Sequence, residues 1–148
     1  TYLKEIDNQN PDGINLEPLD LNSIYISDKI QSLELPSVYV LSGASAFQYS
    51  DNQNYMESED EIIVVMTAEE IGADELTRKM WRYGRVLYQT LNLVDLGDLA
   101  GRIKIKIIPT RLGYTIPITE KLQKGEQRFR MDAVLELKVL HYENNLTN

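Results

Sequence analysis

Apolar residues recur at helical spacing in the middle of the chain. Side chains three or four positions apart share one face of a helix, so this spacing predicts one main helix over about 73–91. Asp74 and Glu75 fall in its first turn, where the helix dipole favours anions. The preceding Thr67-Ala68-Glu69-Glu70 matches a capping box, which would place a helix start there. The apolar stripe comprises Leu76, Met80, Tyr83, Leu87 and Leu91.

Four other segments have the pattern of β-strands. Residues 38–41 and 61–66 are short runs of mainly β-branched and aliphatic residues, whereas residues 102–107 and 128–142 alternate between apolar and polar positions. Pro109 ends regular pairing of the third strand or places it at an edge. Alternation also places Glu136 across from Lys104 or Lys106 in an antiparallel pair. The side of the sheet that faces the helix is predicted to consist of Ile103, Ile105, Ile107, Met131, Ala133, Leu135 and Leu137.

The order of these elements predicts an α+β fold, with an antiparallel or mixed β-sheet packed on the one main helix. Residues 42–59 are predominantly polar, and we interpret them as a long loop. Residues 1–35 fit neither period, so we interpret them as an extended N-terminal lead-in or arm. Residues 36–148 then form a single domain, a size that one core can support.

Charge is divided unevenly along the chain. Residues 1–75 carry 16 acidic and 2 basic side chains, whereas residues 76–148 carry 7 acidic and 13 basic ones, so the two parts have net charges of −14 and +6. Such polarity guides encounter and register between surfaces and does not set the fold. The overall charge of −8 opposes general attraction to nucleic acid.

Residue types that carry chemistry are sparse. The chain has no cysteine, its one histidine is His141, and it has no Gly-x-Ser-x-Gly elbow. The carboxylates Glu57, Glu59, Asp60 and Glu61 are dense, but the order of a calcium loop is absent and a solvated acidic loop explains them as well. We therefore expect no catalytic residue, cofactor or metal. The longest apolar run, residues 62–66, is too short to span a membrane.

Three groups of residues are candidates for contacts with other proteins. Arg78, Arg82 and Arg85 form a basic stripe on the helix, beside Trp81. Nucleic-acid binding, salt bridges to acidic residues and a helix face in water all remain open for this stripe. Lys104 and Lys106 form a second basic set on one face of a strand. Phe47, Tyr49 and Tyr55 lie along the 42–59 segment, and tyrosine favours interfaces.

The element order resembles small connector proteins of tailed bacteriophages. The resemblance runs over about residues 35–142, from Leu35-Pro36-Ser37-Val38-Tyr39-Val40 through the long loop, the second strand and the helix. It includes the close from Arg128-Phe129-Arg130-Met131-Asp132-Ala133 to Val139. The nearest subgroup is the tail terminator and tail-completion proteins. The acidic N-terminal lead-in is longer than in that group.

This resemblance implies an α+β structural protein of the virion, assembled in the host cytoplasm, with no enzymatic activity. It implies a homo-oligomeric ring, commonly of six, that caps the tail tube and contacts a neck or connector protein, with DNA passing only transiently. The interface would then use Arg78, Arg82, Arg85, Lys104, Lys106, Phe47, Tyr49 and Tyr55. Because a basic lining would hold phosphates, the acidic run at Glu57, Glu59, Asp60 and Glu61 is a candidate lumen lining. The alternative is a monomeric protein-binding module that uses residues 42–59.

Overall fold

In the part of the chain that the structure describes, one helix lies across one face of a β-sheet. The computed structural model describes residues 16, 24–26, 35–49, 55–92, 95–99, 103–121, 125 and 127–144. The predicted α+β class is confirmed. In chain order the elements are β1 (Ile24–Ile26), β2 (Ser37–Tyr49), β3 (Tyr55–Glu70), α1 (Ala73–Leu91), β4 (Asp95–Leu99), β5 (Ile103–Tyr114), β6 (Ile118–Lys121) and β7 (Gln127–Asn144).

The last strand, β7, lies at the centre of the sheet. In the described part of the chain the strand order is β1-β2-β3-β7-β5-β4, and β6 also pairs with β7. β3 pairs with β7 along its whole length, from Tyr55 opposite Asn144 to Glu70 opposite Phe129. All pairs are antiparallel except that of β1 with β2, so the sheet is mixed.

The segment predicted as a long loop is instead a β-hairpin. Residues 42–49 continue β2, and residues 55–59 begin β3, with Ser45 opposite Asp60 and Tyr49 opposite Met56. A bulge between Ser42 and Ser45 shifts the register. A Cβ atom on Gly43 would lie 3.0 Å from the Cβ of Glu61, so glycine lets the two strands approach here. The polar composition concealed this hairpin, because residues 42–48 are exposed on both faces of β2 and show no apolar alternation.

The helix has the predicted bounds but not the predicted start signal. Thr67 to Glu70 are the end of β3, so the capping-box interpretation is wrong. Gly72 is the N-cap, without a side-chain cap, and its carbonyl accepts a hydrogen bond from the amide of Leu76 at 3.0 Å. Asp74 and Glu75 occupy the first turn as expected.

The core lies between the helix and the sheet. Alternate residues of β3 and β7 point at the helix, and directly opposed residues share that face, as Val64 and Leu135 do. The prediction for Met131, Ala133, Leu135 and Leu137 is confirmed, and Ile107 packs at the margin. The buried core comprises Val38, Val64, Met66, Ala68, Leu76, Met80, Tyr83, Met131, Ala133, Leu135 and Leu137.

Strand β5 is irregular around its proline. Pro109 lies beyond the stretch that pairs with β4, which agrees with the predicted edge position. The register shifts between Pro109 and Arg111, and Glu136 consequently faces Arg111. The predicted pairing of Glu136 with Lys104 or Lys106 is therefore wrong.

Parts of the predicted N-terminal lead-in contact the domain. Leu16 is half-buried against the core, and β1 pairs with residues 38–40 of β2. Most of residues 1–34 lie outside the described residues, so the division into an arm and a domain at residue 35 stays a prediction.

The contact between Gly84 of the helix and Tyr114 of β5 gives a first testable prediction. A Cβ atom on Gly84 would lie 2.4 Å from the Tyr114 hydroxyl oxygen and 2.9 Å from Cε1, so Gly84→Ala must displace that ring. We expect a loss of about 1–3 kcal/mol in the free energy of unfolding, measured by urea denaturation. In a Tyr114→Ala background the same substitution should instead stabilise by about 0.5–1 kcal/mol, because alanine favours the helix. A loss of equal size in both backgrounds would contradict the contact.

Candidate assembly surfaces

The outward face of α1 combines two arginines with two aromatic residues. Arg78, Trp81, Arg85 and Tyr88 follow at spacings of three, four and three, so they lie on one side of the helix. Trp81 is 57% exposed and Tyr88 41%, and both arginines are exposed. Tryptophan, tyrosine and arginine are enriched among residues that dominate binding energy at interfaces. We call these four residues the Arg–Trp face.

The predicted basic stripe is divided by burial. Arg78 and Arg85 belong to the exposed face, but Arg82 is only 6% exposed and lies near Lys79, which is 4% exposed. The buried arc of the helix is wider than the apolar stripe, and it includes the ammonium group of Lys79, which forms an ion pair with Glu70 at 3.8 Å. Arg82 is therefore not part of the exposed surface predicted for it. The spacing in the sequence could have identified Trp81 and Tyr88 as residues on the same side of the helix as Arg78 and Arg85.

The second basic set lies on β5. Lys106 is exposed, and it points away from the helix because its neighbour Ile107 packs towards the core. The backbone of Lys104 pairs with Tyr142 in β7 and with Asp98 in β4, and its side chain lies outside the described residues.

The hairpin of β2 and β3 carries the predicted aromatic residues. Phe47 is 58% exposed on β2. Tyr49 and Tyr55 are in β2 and β3, and their side chains lie outside the described residues. The structure thus places these three positions at one end of the hairpin, with Phe47 open to solvent.

The predicted acidic run is divided between the two faces of β3. Ile62 and Val64 point at the helix, so Asp60 lies on that side, and Glu57, Glu59 and Glu61 lie on the opposite side. Glu61 is exposed, while Glu57, Glu59 and Asp60 are half-exposed. Only the three glutamates can therefore contribute to one lining surface.

Lys138 accompanies these glutamates on the sheet face opposite the helix. Its ammonium group forms an ion pair with Glu59 and lies opposite Glu61. The hydrogen bond and the charge of Glu59, with a smaller contribution from Glu61, raise the pKa of Lys138 above 10.5. Because this pair is in solvent, it contributes little to stability.

At the end of the sheet away from the β2–β3 hairpin, two features were not predicted. Ile71, Ile116 and Ile118 are 72%, 79% and 63% exposed. Arg128 donates from Nη1 to Glu69 Oε1 at 3.1 Å on the sheet face away from the helix. The run Ile116-Pro117-Ile118 was a usable signal, because proline interrupts the strand between two apolar residues.

Over the described residues, the fold and surfaces define an α+β protein with one helix on a mixed sheet and with exposed candidate contact residues on both layers. Within the described ranges, no three or more histidine, aspartate or glutamate residues converge as a metal site, and no helix is long and apolar enough to cross a membrane.

Comparison with known proteins finds no matching family model and no matching curated protein. Among solved structures, the chain is similar to a chain from the virion of a native gene transfer agent particle. That likeness has a TM-score of 0.32 and 14% sequence identity, and it covers 80% of this chain and 78% of that chain. Because this TM-score is below the level that marks a shared fold, the surfaces described above carry the proposal that follows.

Proposed function

We propose that the chain is a structural subunit of a tailed phage-like virion, a ring-forming tail terminator or head–tail connector. The observation that carries this proposal is the Arg–Trp face, an exposed set of interface-forming residues on the outer side of the helix. The strand–strand–helix order of the connector proteins is compatible with the fold. The ring would cap the tail tube and join it to a neck protein, in a particle assembled in the host cytoplasm.

A head-to-tail ring requires two different surfaces on each subunit. The Arg–Trp face supplies the first, and its arginines would pair with acidic side chains of the neighbouring copy. Phe47 on the β2–β3 hairpin and Lys106 on the sheet face away from the helix are exposed elsewhere on the subunit and would contribute to separate subunit contacts. The number of subunits, commonly six in the connector proteins that the chain resembles, is part of the proposal.

The hairpin end of β3, on the sheet face opposite the helix, would line the inner surface of such a ring. It carries Glu57, Glu59 and Glu61, with Lys138 of β7 paired to Glu59, whereas two basic residues of the same face, Lys106 and Arg128, lie on β5 and at the other end of β7. Carboxylates do not bind the phosphates of DNA, so DNA passing through an acidic lumen would not be held.

Substitutions on the Arg–Trp face test the proposed subunit contact. We expect Trp81→Ala, or Arg78→Glu with Arg85→Glu, to weaken self-association by about 10-fold or more, because truncating a central interface residue typically costs over 1 kcal/mol. Mass would be measured by light scattering across concentration at low and high salt. Thr119→Ala, exposed on β6 and not on the helix, is the control that should leave the mass unchanged.

Two results would count against the proposal. An unchanged mass for both variants at both salt concentrations would exclude the Arg–Trp face as the subunit contact. A monomeric wild-type chain at all concentrations would exclude the ring. The exposed Phe47 would then favour the alternative, a monomeric protein-binding module that uses the β2–β3 hairpin.

A further inference from the structure

Among the described residues, the outer edge of β2 is open along most of its length. In the described part of the chain, β1 pairs with it only at residues 38–40, and residues 42–48 are all exposed. β2 contains no charged residue and no proline in its 13 residues. Proteins commonly protect an exposed strand edge with lysine, proline or very short strands. Apart from its bulge, this edge has none of these devices, so it is suited to pair with another strand.

The strand at the other side of the sheet, β4, lies at the same level as the open part of β2. Asp95 is opposite Lys106, which is opposite Leu140; Leu140 is opposite Glu59, which is opposite Ala46. Leu99 is connected in the same way, through Ile103, Glu143 and Met56, to Tyr49. β4 and residues 46–49 of β2 therefore lie on the two opposite edges of the sheet, at the same position along the strand direction.

The two edge strands also run in the same direction. Four antiparallel steps separate β2 from β4, through β3, β7 and β5, so β4 is parallel to β2. A rotation about an axis along the strands would bring β4 of one copy beside β2 of the next without moving it along that axis. A rotation of this kind closes into a ring and does not form a filament.

We propose that β4 of a second copy pairs in parallel with residues 46–49 of β2, so that the sheets of adjacent subunits join edge to edge. This is β-strand addition, in which backbone hydrogen bonds supply affinity with little demand on side-chain identity. Asp95 and Asp98 of the second copy would meet no carboxylate on the adjacent strand, because β2 is uncharged. The proposal rests on the proposed ring and names the contact that closes it.

Disulfide cross-linking tests this pairing directly, because the chain contains no cysteine. Adjacent strands lie about 4.8 Å apart, within the Cα separation that a disulfide can bridge. We expect the Ala46→Cys, Asp95→Cys double variant to give a ladder of cross-linked multimers on a non-reducing gel under mild oxidation. Ala46→Cys with Asp74→Cys is the matched control, since Asp74 is exposed on the first turn of the helix and away from the sheet edge.

The outcomes separate this contact from the ring itself. Cross-linking no greater than in the control, in a protein whose native mass is oligomeric, would overturn the edge pairing and leave the ring standing. Dimers formed by Ala46→Cys alone would mean that β2 pairs with itself, which also overturns it. A monomeric native mass would overturn both.

Hydrogen exchange provides a measurement without substitutions. Amides of residues 46–49 whose N–H groups point away from β3 should exchange at least about 10-fold more slowly in the wild-type oligomer than in the diluted monomer. Equal exchange in the two states would contradict the pairing.

Discussion

Replacing Leu135 with alanine is expected to lower the free energy of unfolding by about 2–5 kcal/mol, the largest effect of any single change considered for this chain. Leu135 has no exposed surface. It lies in the central strand, opposite Val64 on one side and Leu112 on the other, and it points at the helix. Truncation loses the burial of the side chain and leaves a cavity that the sheet cannot close.

Urea denaturation would measure this loss, with an unchanged dependence of the free energy of unfolding on urea concentration. Val134→Ala is the control, because Val134 is the next residue of β7 and is half-buried on the face away from the helix. We expect it to cost about 1 kcal/mol, since most single substitutions are near this value. Equal losses at the two positions would mean that the core does not lie between the helix and the sheet.

Asp132→Ala is expected to cost about 1–3 kcal/mol, the second large effect. The Thr67 hydroxyl donates to Asp132 Oδ1 at 2.6 Å, and Thr67 is only 5% exposed. Without the carboxylate, that hydroxyl would be buried without this acceptor. The side chain thus links β3 to β7 at the level where β5 ends and β6 begins on the other side of β7.

A double-mutant cycle separates this hydrogen bond from other effects of the substitution. In a Thr67→Val background, Asp132→Ala should cost at least about 1 kcal/mol less, because no buried donor is left unpaired. Asp132→Asn keeps an acceptor and should retain most of the stability. Strict additivity of the two single substitutions, measured by urea denaturation, would contradict a direct bond.

The break between β5 and β6 depends on the backbone amide and carbonyl groups of Asp132. The amide of Asp132 donates to Thr115 Oγ1 at 2.9 Å, and its carbonyl accepts from the amide of Thr115 at 3.0 Å. These bonds satisfy backbone groups where regular pairing stops, so β5 and β6 can follow one another along β7. The Asp132→Ala variant retains these backbone hydrogen bonds, so the expected loss of stability comes from the side chain alone.

The helix and the buried side of β7 were predictable because their periods are local. Spacings of three and four between Leu76 and Leu91, and of two between Met131 and Leu137, depend only on backbone geometry. The β2–β3 hairpin was not predictable in this way. Residues 42–48 are small or polar apart from Phe47, and they form a strand because β3 is already paired with β7 and offers its other edge.

The candidate surfaces show the same division. Charge and aromatic content marked the helix as a contact element, but burial decided that Trp81 faces solvent and Arg82 does not. Likewise, the sequence showed a dense acidic run, and pairing of β3 as a strand placed Asp60 on the opposite side from Glu57, Glu59 and Glu61. Residue spacing shows which members of an acidic run share a face only once the run is known to be a strand and not a loop.

By itself, the sequence determined one amphipathic helix, an alternating central strand and an uneven charge distribution. Only the tertiary structure decided which helix flank is covered, which register brings Glu136 to Arg111, and which strand edges are open at the same level. The physical reason is the range of the interactions. Helical and strand periods arise between residues a few positions apart, whereas burial and edge exposure depend on strands brought together from distant parts of the chain.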